Sequence, residues 1–282
     1  MIITRWLSMK KRKIKWKNII LLLITIISII GLCISIINII KWKQDSDKTE
    51  KQTQEIEQIV KPIEKEDTEN VEIIEQKEEI PEENPYWDYI KMNLIDVNFN
   101  ELKNINSETS GWIQVNGTNI NYPYVQTKDN KYYLTHSFDH SYNNAGWVFL
   151  DYRNDTNLSA KNNIIYAHGR FDQTMFGSLK NILTSGWTND TNNYVIKLST
   201  EYKNTLWQVF SIYRIPTTSD YLQIEFSNDT EFQEFANKLL NRSNYNFNTT
   251  INETDKILTL STCYNDEEKV VLHAKLIKRE TK

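Results

Sequence analysis

Thiols are the strongest uncharged-residue nucleophiles a chain can carry, and Cys263 is the one cysteine here outside a long apolar run. It ends the extended stretch Thr259-Leu260-Ser261-Thr262-Cys263. Side chains alternate along a strand, so Leu258, Leu260 and Thr262 share one face while Thr259, Ser261 and Cys263 share the other. Cys263 therefore keeps company with two hydroxyls. Free cysteine is also among the most buried residue types, so a core thiol remains the competing reading at this point.

A catalytic thiol needs a base and gains from a nearby cation. Four histidines are available as the base. His168 closes the β-run Ile164-Ile165-Tyr166-Ala167 and opens a loop with Gly169, at the kind of strand end where a scaffold presents functional groups. A capping histidine would look the same. His136 and His140 stand four apart, but no Glu follows His136, the neighbours read as loop, and no third ligand is suitably spaced, so no metal is expected. His273 falls on the last strand with Lys269, Val271 and Lys275 and reads as a surface or groove-edge residue. The cation is Lys269, separated from Cys263 by the five residues Tyr264 to Glu268. A hairpin of that length can set the two side chains opposite each other, where an ammonium would favour thiolate and stabilise an oxyanion. Alternatively Lys269 is a solvated partner of Asp266, Glu267 and Glu268.

Elements able to position these residues are legible further upstream. Strand patterns cover Trp112 to Val115, Asn119 to Val125, Trp147 to Leu150, Asn163 to Ala167, Tyr194 to Ser199, Thr205 to Arg214, Ile257 to Cys263 and Lys269 to Ile277, with Asn116-Gly117 marking a hairpin. Trp87, Ile90 and Leu94, then Phe99, Leu102 and Ile105, predict two lead-in helices. A further stripe runs through Met175, Phe176, Leu179, Ile182 and Leu183. The clearest is Phe232, Phe235, Ala236, Leu239 and Leu240, opened by Asn228 with Glu231 three residues on. Short, turn-separated strands with helical insertions fit a closed, mainly β barrel better than a βαβ repeat.

Charge divides the chain. Residues 1–43 hold nine Lys/Arg and no acid, whereas 44–84 hold fifteen Asp/Glu against five Lys. The apolar run Ile19 to Ile40 is long enough to span a hydrocarbon core of about 30 Å and exceeds a signal-peptide core, so it is read as an uncleaved anchor. The basic residues before it place the N-terminus in the cytoplasm. The expected organisation is a cytoplasmic segment 1–18, a transmembrane anchor 19–40, an acidic stalk 41–84 and a catalytic domain 85–282 outside the cell. No basic stripe with interleaved aromatics supports nucleic-acid binding. With Cys33 inside the apolar run, Cys263 should be a free thiol.

Taken together these features resemble the class B sortases, membrane-anchored cysteine transpeptidases of Gram-positive bacteria. Thr259-Leu260-Ser261-Thr262-Cys263 is similar to the family's Thr-Leu-x-Thr-Cys motif, and Tyr166-Ala167-His168 with Met175-Phe176 to its histidine region. Gly111-Trp112-Ile113, Tyr122-Pro123, Asp129-Asn130 with Tyr132-Tyr133-Leu134, and Phe149-Leu150-Asp151-Tyr152-Arg153 also match in spacing, as does the helix inserted before the cysteine strand. The likeness covers about residues 86–278 and implies an eight-stranded sortase barrel. It further implies Cys263 as nucleophile, His168 as acid/base partner, and Lys269 where the family carries arginine; Ala167 stands where glycine is usual. Ser261, Thr217, Tyr221 and Leu222 would line the substrate groove. The implied substrates are secreted proteins with a C-terminal sorting motif, cleaved after Thr and passed to a peptidoglycan or pilin amine, with hydrolysis as a side activity and no cofactor. Because Lys is a point charge and Arg a planar fork, a second reading is a catalytically weak sortase-like protein that binds sorting signals without efficient turnover, or one rescued by Arg214 or Arg170.

Overall fold

The computed structural model describes residues 15–74, 76 and 79–282. The basic residues of segment 1–18 that precede Lys15 lie outside the described residues. The chain forms two compact units, one ending at Gln44 and the other running from Asp45 to Lys282. Helix α1 (Trp16–Ile59) supplies the described part of the first, where residues 19–40 are exposed throughout and form a helix long and apolar enough to cross a membrane.

Within the second unit, β1 (Ile63–Lys65), β2 (Val71–Ile73), α2 (Tyr86–Tyr89), β3 (Leu94–Asp96) and α3 (Asn100–Ile105) precede the barrel strands. These are β4 (Thr109–Val115), β5 (Asn121–Val125), β6 (Phe149–Leu150), β7 (Asn162–Tyr166), β8 (Val195–Ser199), β9 (Lys203–Pro216), β10 (Ile257–Cys263) and β11 (Glu268–Thr281). Each coincides with one of the eight strands expected from side-chain alternation. They run in the order β10-β7-β6-β5-β4-β8-β9-β11, and pairing of β10 with β11 closes the barrel. Closure removes the open edges that a sheet would otherwise expose. The short α4 (Ser185–Thr188) lies between β7 and β8, and α5 (Asp229–Asn241) between β9 and β10.

Leu258, Leu260, Val270 and Leu272 join the main core with Trp112 and Trp147. The opposite face of the same wall is buried too. Phe232, Phe235 and Leu239 of α5 pack over Phe210, Tyr213, Ile257 and Val271. Asn228 caps α5 by accepting from Glu231 N at 2.9 Å, satisfying one of the free amides of the first turn.

Three expectations differ from what is observed. The helix read through Leu94 stops after Tyr89, and Leu94 enters β3 to pair with β1. There the carbonyls of Ile90 and Met92 accept from the buried Lys278 Nζ, which also binds Asp67, instead of continuing a helical ladder. The stripe beginning at Met175 is a 3₁₀ helix from Gly177, because Met175 adopts a positive φ and bridges back to Gly169. Finally, the described part of the acidic segment from Asp45 onward folds with the barrel: Ile56 and Val60 are in its core, and β2 pairs with Lys278 to Glu280 of β11.

Candidate active site

Two pairings of β10 build the site. Its antiparallel register with β11 sets Cys263 opposite Lys269. Lys269 Nζ donates to Cys263 Sγ at 2.9 Å. Its parallel register with β7 sets Ser261 beside Tyr166, and Thr262 Oγ1 donates to Ala167 O at 2.8 Å. His168 follows two residues after Tyr166, and it lines the same cleft as Cys263. Gly169 is required here, since a Cβ on it would stand 2.1 Å from Cys263 O. Ala167, by contrast, packs its methyl into the core.

The histidine is held at both ends. Phe176 N donates to His168 O at 3.0 Å, folding the following loop back on the strand end. On the side chain, Nε2 lies 2.8 Å from Leu134 O. A carbonyl only accepts, so Nε2 carries a hydrogen and donates to it, which leaves Nδ1 as the ring nitrogen available for proton exchange. Neither alternative cation shares this arrangement: Arg214 pairs with Glu268 and stacks 3.9 Å above the Tyr264 ring, and Arg170 is bound to Asp172. Glu268 is thereby neutralised, its carboxyl held below the ordinary value by Arg214 and then Asn265. Asp266 and Glu267 are exposed to solvent.

Cys263, His168 and Lys269 sit in a cleft of 710 Å³ whose walls also include Ser261, Thr217, Tyr221 and Leu222, so every residue assigned to the site from the sequence meets in one place. This volume is in the range of ligand-binding clefts. Asn130, Leu134, Phe149, Tyr166, Thr218 and Ser219 line it as well. Thr218 and Ser219 fall within the 217–222 segment expected in the groove; Asn130, Leu134, Phe149 and Tyr166 were not assigned to it from the sequence, although all four lie in the stretches that carried the family likeness.

Two buried polar systems hold the walls. Asp151 accepts from Asn130 Nδ2, Tyr166 Oη and the Arg153 guanidinium at 2.8 to 2.9 Å, and Arg153 also donates to Leu222 O. Burial alone would raise the Asp151 carboxyl, but these donors outweigh it and hold it below the usual carboxylate range. The second system centres on His273, which is completely buried and not at the surface or groove edge as expected. The expectation assumed that the face opposite Leu272 meets solvent, whereas α5 covers it. Thr259 Oγ1 donates to Asn162 Oδ1 at 2.7 Å, so His273 Nδ1 must donate to Thr259 Oγ1, and Nε2 then accepts from Tyr213 Oη, both at 2.8 Å. Asn162 Nδ2 in turn donates to the carbonyls of Tyr221 and Gln223. Burial, and secondarily the positive Arg242, lowers the His273 pKa to about 3 and keeps it neutral. Tyr221 Oη completes the link at 2.9 Å from Ser261 Oγ, two residues before the thiol.

Residues 113–277 match the family model of the sortase domain. Over 184 residues the chain is 34% identical to sortase B of Staphylococcus aureus, covering 64% of this chain and 75% of that protein. The chain belongs to the class B sortases. Among solved class B sortases, that of Bacillus anthracis is 39% identical with a TM-score of 0.59, over 64% of this chain and 84% of that one. A Staphylococcus aureus sortase B–substrate complex is 34% identical with a TM-score of 0.60, over 64% and 84%. A class B sortase is a cysteine transpeptidase with a closed eight-stranded barrel, the architecture found here.

Proposed function

We propose that the chain cleaves a C-terminal sorting motif after threonine and transfers the protein to an amine, with Cys263 as nucleophile, His168 as acid and base, and Lys269 as the stabilising cation. The observation that carries this reading is the presence of the three in the lining of a single cleft, with the Lys269 ammonium donating to the Cys263 sulfur. The Cys263 thiol passes its proton to His168 Nδ1, and the resulting thiolate attacks the threonine carbonyl and forms a tetrahedral intermediate. His168, protonated at Nδ1, gives its proton to the departing amine, and a thioester remains. The acceptor amine, deprotonated by His168, attacks the thioester and releases the thiol. Water in its place gives hydrolysis. Lys269 offsets negative charge first on sulfur and then on the oxyanion, work for which a single positive charge suffices.

Ser261, Thr217, Tyr221 and Leu222 bind the peptide on the cleft walls, and the solved sortase B–substrate complex of the Staphylococcus aureus relative supports substrate binding by this fold. The acceptor is a cell-wall peptide or pilin amine. Residues 1–18 lie in the cytoplasm, 19–40 cross the bilayer, and the catalytic domain faces outward, where sorting substrates and acceptors meet. The test is to incubate the full chain with candidate threonine-containing sorting peptides and an amine. Cleavage after threonine with a transfer product, abolished in Cys263→Ala, is expected. Intact peptide under conditions where Lys269→Arg cleaves it would instead support a signal-binding protein with a weak site.

A further inference from the structure

We propose that Lys269 is itself an acyl acceptor: an acyl group held on Cys263 as a thioester passes to Lys269 Nζ when no other amine takes it. The inference rests on the thioester reading for its natural acyl donor, although the geometry requires only an acylated Cys263. Lys269 Nζ lies 2.9 Å from Cys263 Sγ, and the carbonyl carbon of a thioester is one bond from that sulfur. Reacting atoms need to approach to about 3 to 3.5 Å, so the amine starts within or beside the attack distance. The backbones cannot drift apart, because Lys269 is paired with Cys263 on one side and with Ile215 of β9 on the other. The flexible lysine stem supplies the remaining freedom.

Arginine in this position would hold a charge and nothing more, since the guanidinium does not lose its proton in proteins. Lysine can lose one to solvent, and the free amine is a nucleophile. In the step, nitrogen attacks the carbonyl carbon and the C–N bond forms. The tetrahedral adduct collapses, the C–S bond breaks, and the proton shed by nitrogen returns to sulfur. A thioester and an amine become an amide and a thiol, with no co-reactant. The product has lost the ammonium beside Cys263, so an enzyme that acylates itself in the absence of acceptor switches off its own site. Lys180 is the internal control: its Nζ donates to Gly169 O at 2.9 Å, close to the Cys263 carbonyl yet committed to a different partner.

The experiment uses the purified full chain in detergent and p-nitrophenyl acetate, which acetylates reactive thiols without needing a sorting motif. Label is mapped by peptide mass spectrometry before and after hydroxylamine, which removes thioesters and spares amides. Label should reach Cys263 first and then Lys269, as a hydroxylamine-resistant acetyl about ten-fold more abundant than in Cys263→Ala, the advantage of an intramolecular transfer. In Lys269→Arg it should stay on Cys263 and remain hydroxylamine-labile. Acetyl that stays on Cys263 in the unaltered chain, or that reaches Lys269 equally well in Cys263→Ala, overturns this inference and leaves the thioester mechanism standing. A Cys263 that takes no label overturns both.

Discussion

Replacing Lys269 with methionine removes the ammonium that donates to Cys263 while keeping an unbranched stem. Two unit charges 2.9 Å apart interact by about 6 kcal/mol at an effective dielectric of about 20, and by about 1.4 kcal/mol at the value of water, about 80. Both residues are half-buried, which places the effect between these bounds. The expected loss is about 3 kcal/mol, roughly two orders of magnitude in rate, similar to removal of one oxyanion-hole donor. Two assays read it: alkylation of Cys263 by iodoacetamide, followed on its own peptide to exclude Cys33, and kcat/KM for sorting-peptide cleavage. Both should fall in Lys269→Met and recover in Lys269→Arg. Unchanged alkylation and cleavage in Lys269→Met, with Cys263→Ala inactive, would refute the electrostatic role.

His273 makes stability depend on pH. Its folded pKa of about 3 is depressed, so the unfolded chain binds the proton first; the contribution is complete above pH 6.5 and lost as pH falls toward 3. At a pH of about 4.5 the loss is about 3 kcal/mol, seen as a difference in urea unfolding between the unaltered chain and His273→Gln that narrows on acidification. A parallel response of the two chains would contradict the buried neutral histidine. Tyr221→Phe deletes the hydroxyl that meets Ser261 and should lower kcat/KM by roughly three- to ten-fold, with folding cost limited to about 1 kcal/mol. Asp151→Ala removes the acceptor shared by Asn130, Tyr166 and Arg153 and should destabilise the domain by about 3 kcal/mol, measured as a lower urea midpoint at unchanged slope.

The strands were legible because alternation is a local signal, and α5 because Asn228 and its apolar stripe lie within one helix. The link between His168 and Cys263 was not, since it depends on parallel pairing of β10 with β7 across a long connection. Only the family likeness suggested it before the fold was known. Lys269 was an intermediate case: loop length allowed it to face Cys263, and the hairpin register decided it over the acidic neighbours. Residues 45–59 escaped notice because their docking face is largely polar. Ser46, Thr49 and Gln52 are buried by hydrogen bonds to Arg170 and Asp172, Asn143, and Phe138 N, which leave no apolar periodicity to read. His273 was misplaced for a related reason: its strand reads as half polar, yet its polar side chains are satisfied by one another beneath a helix.

Intact-mass analysis of the full chain quenched in acid during turnover of a sorting peptide tests the central claim most directly. The account predicts an adduct equal in mass to the peptide fragment ending in threonine less one water, located on Cys263, removed by hydroxylamine and absent from both Cys263→Ala and His168→Ala. A peptide that is cleaved while Cys263 carries no adduct, or an adduct formed equally well without His168, would contradict it.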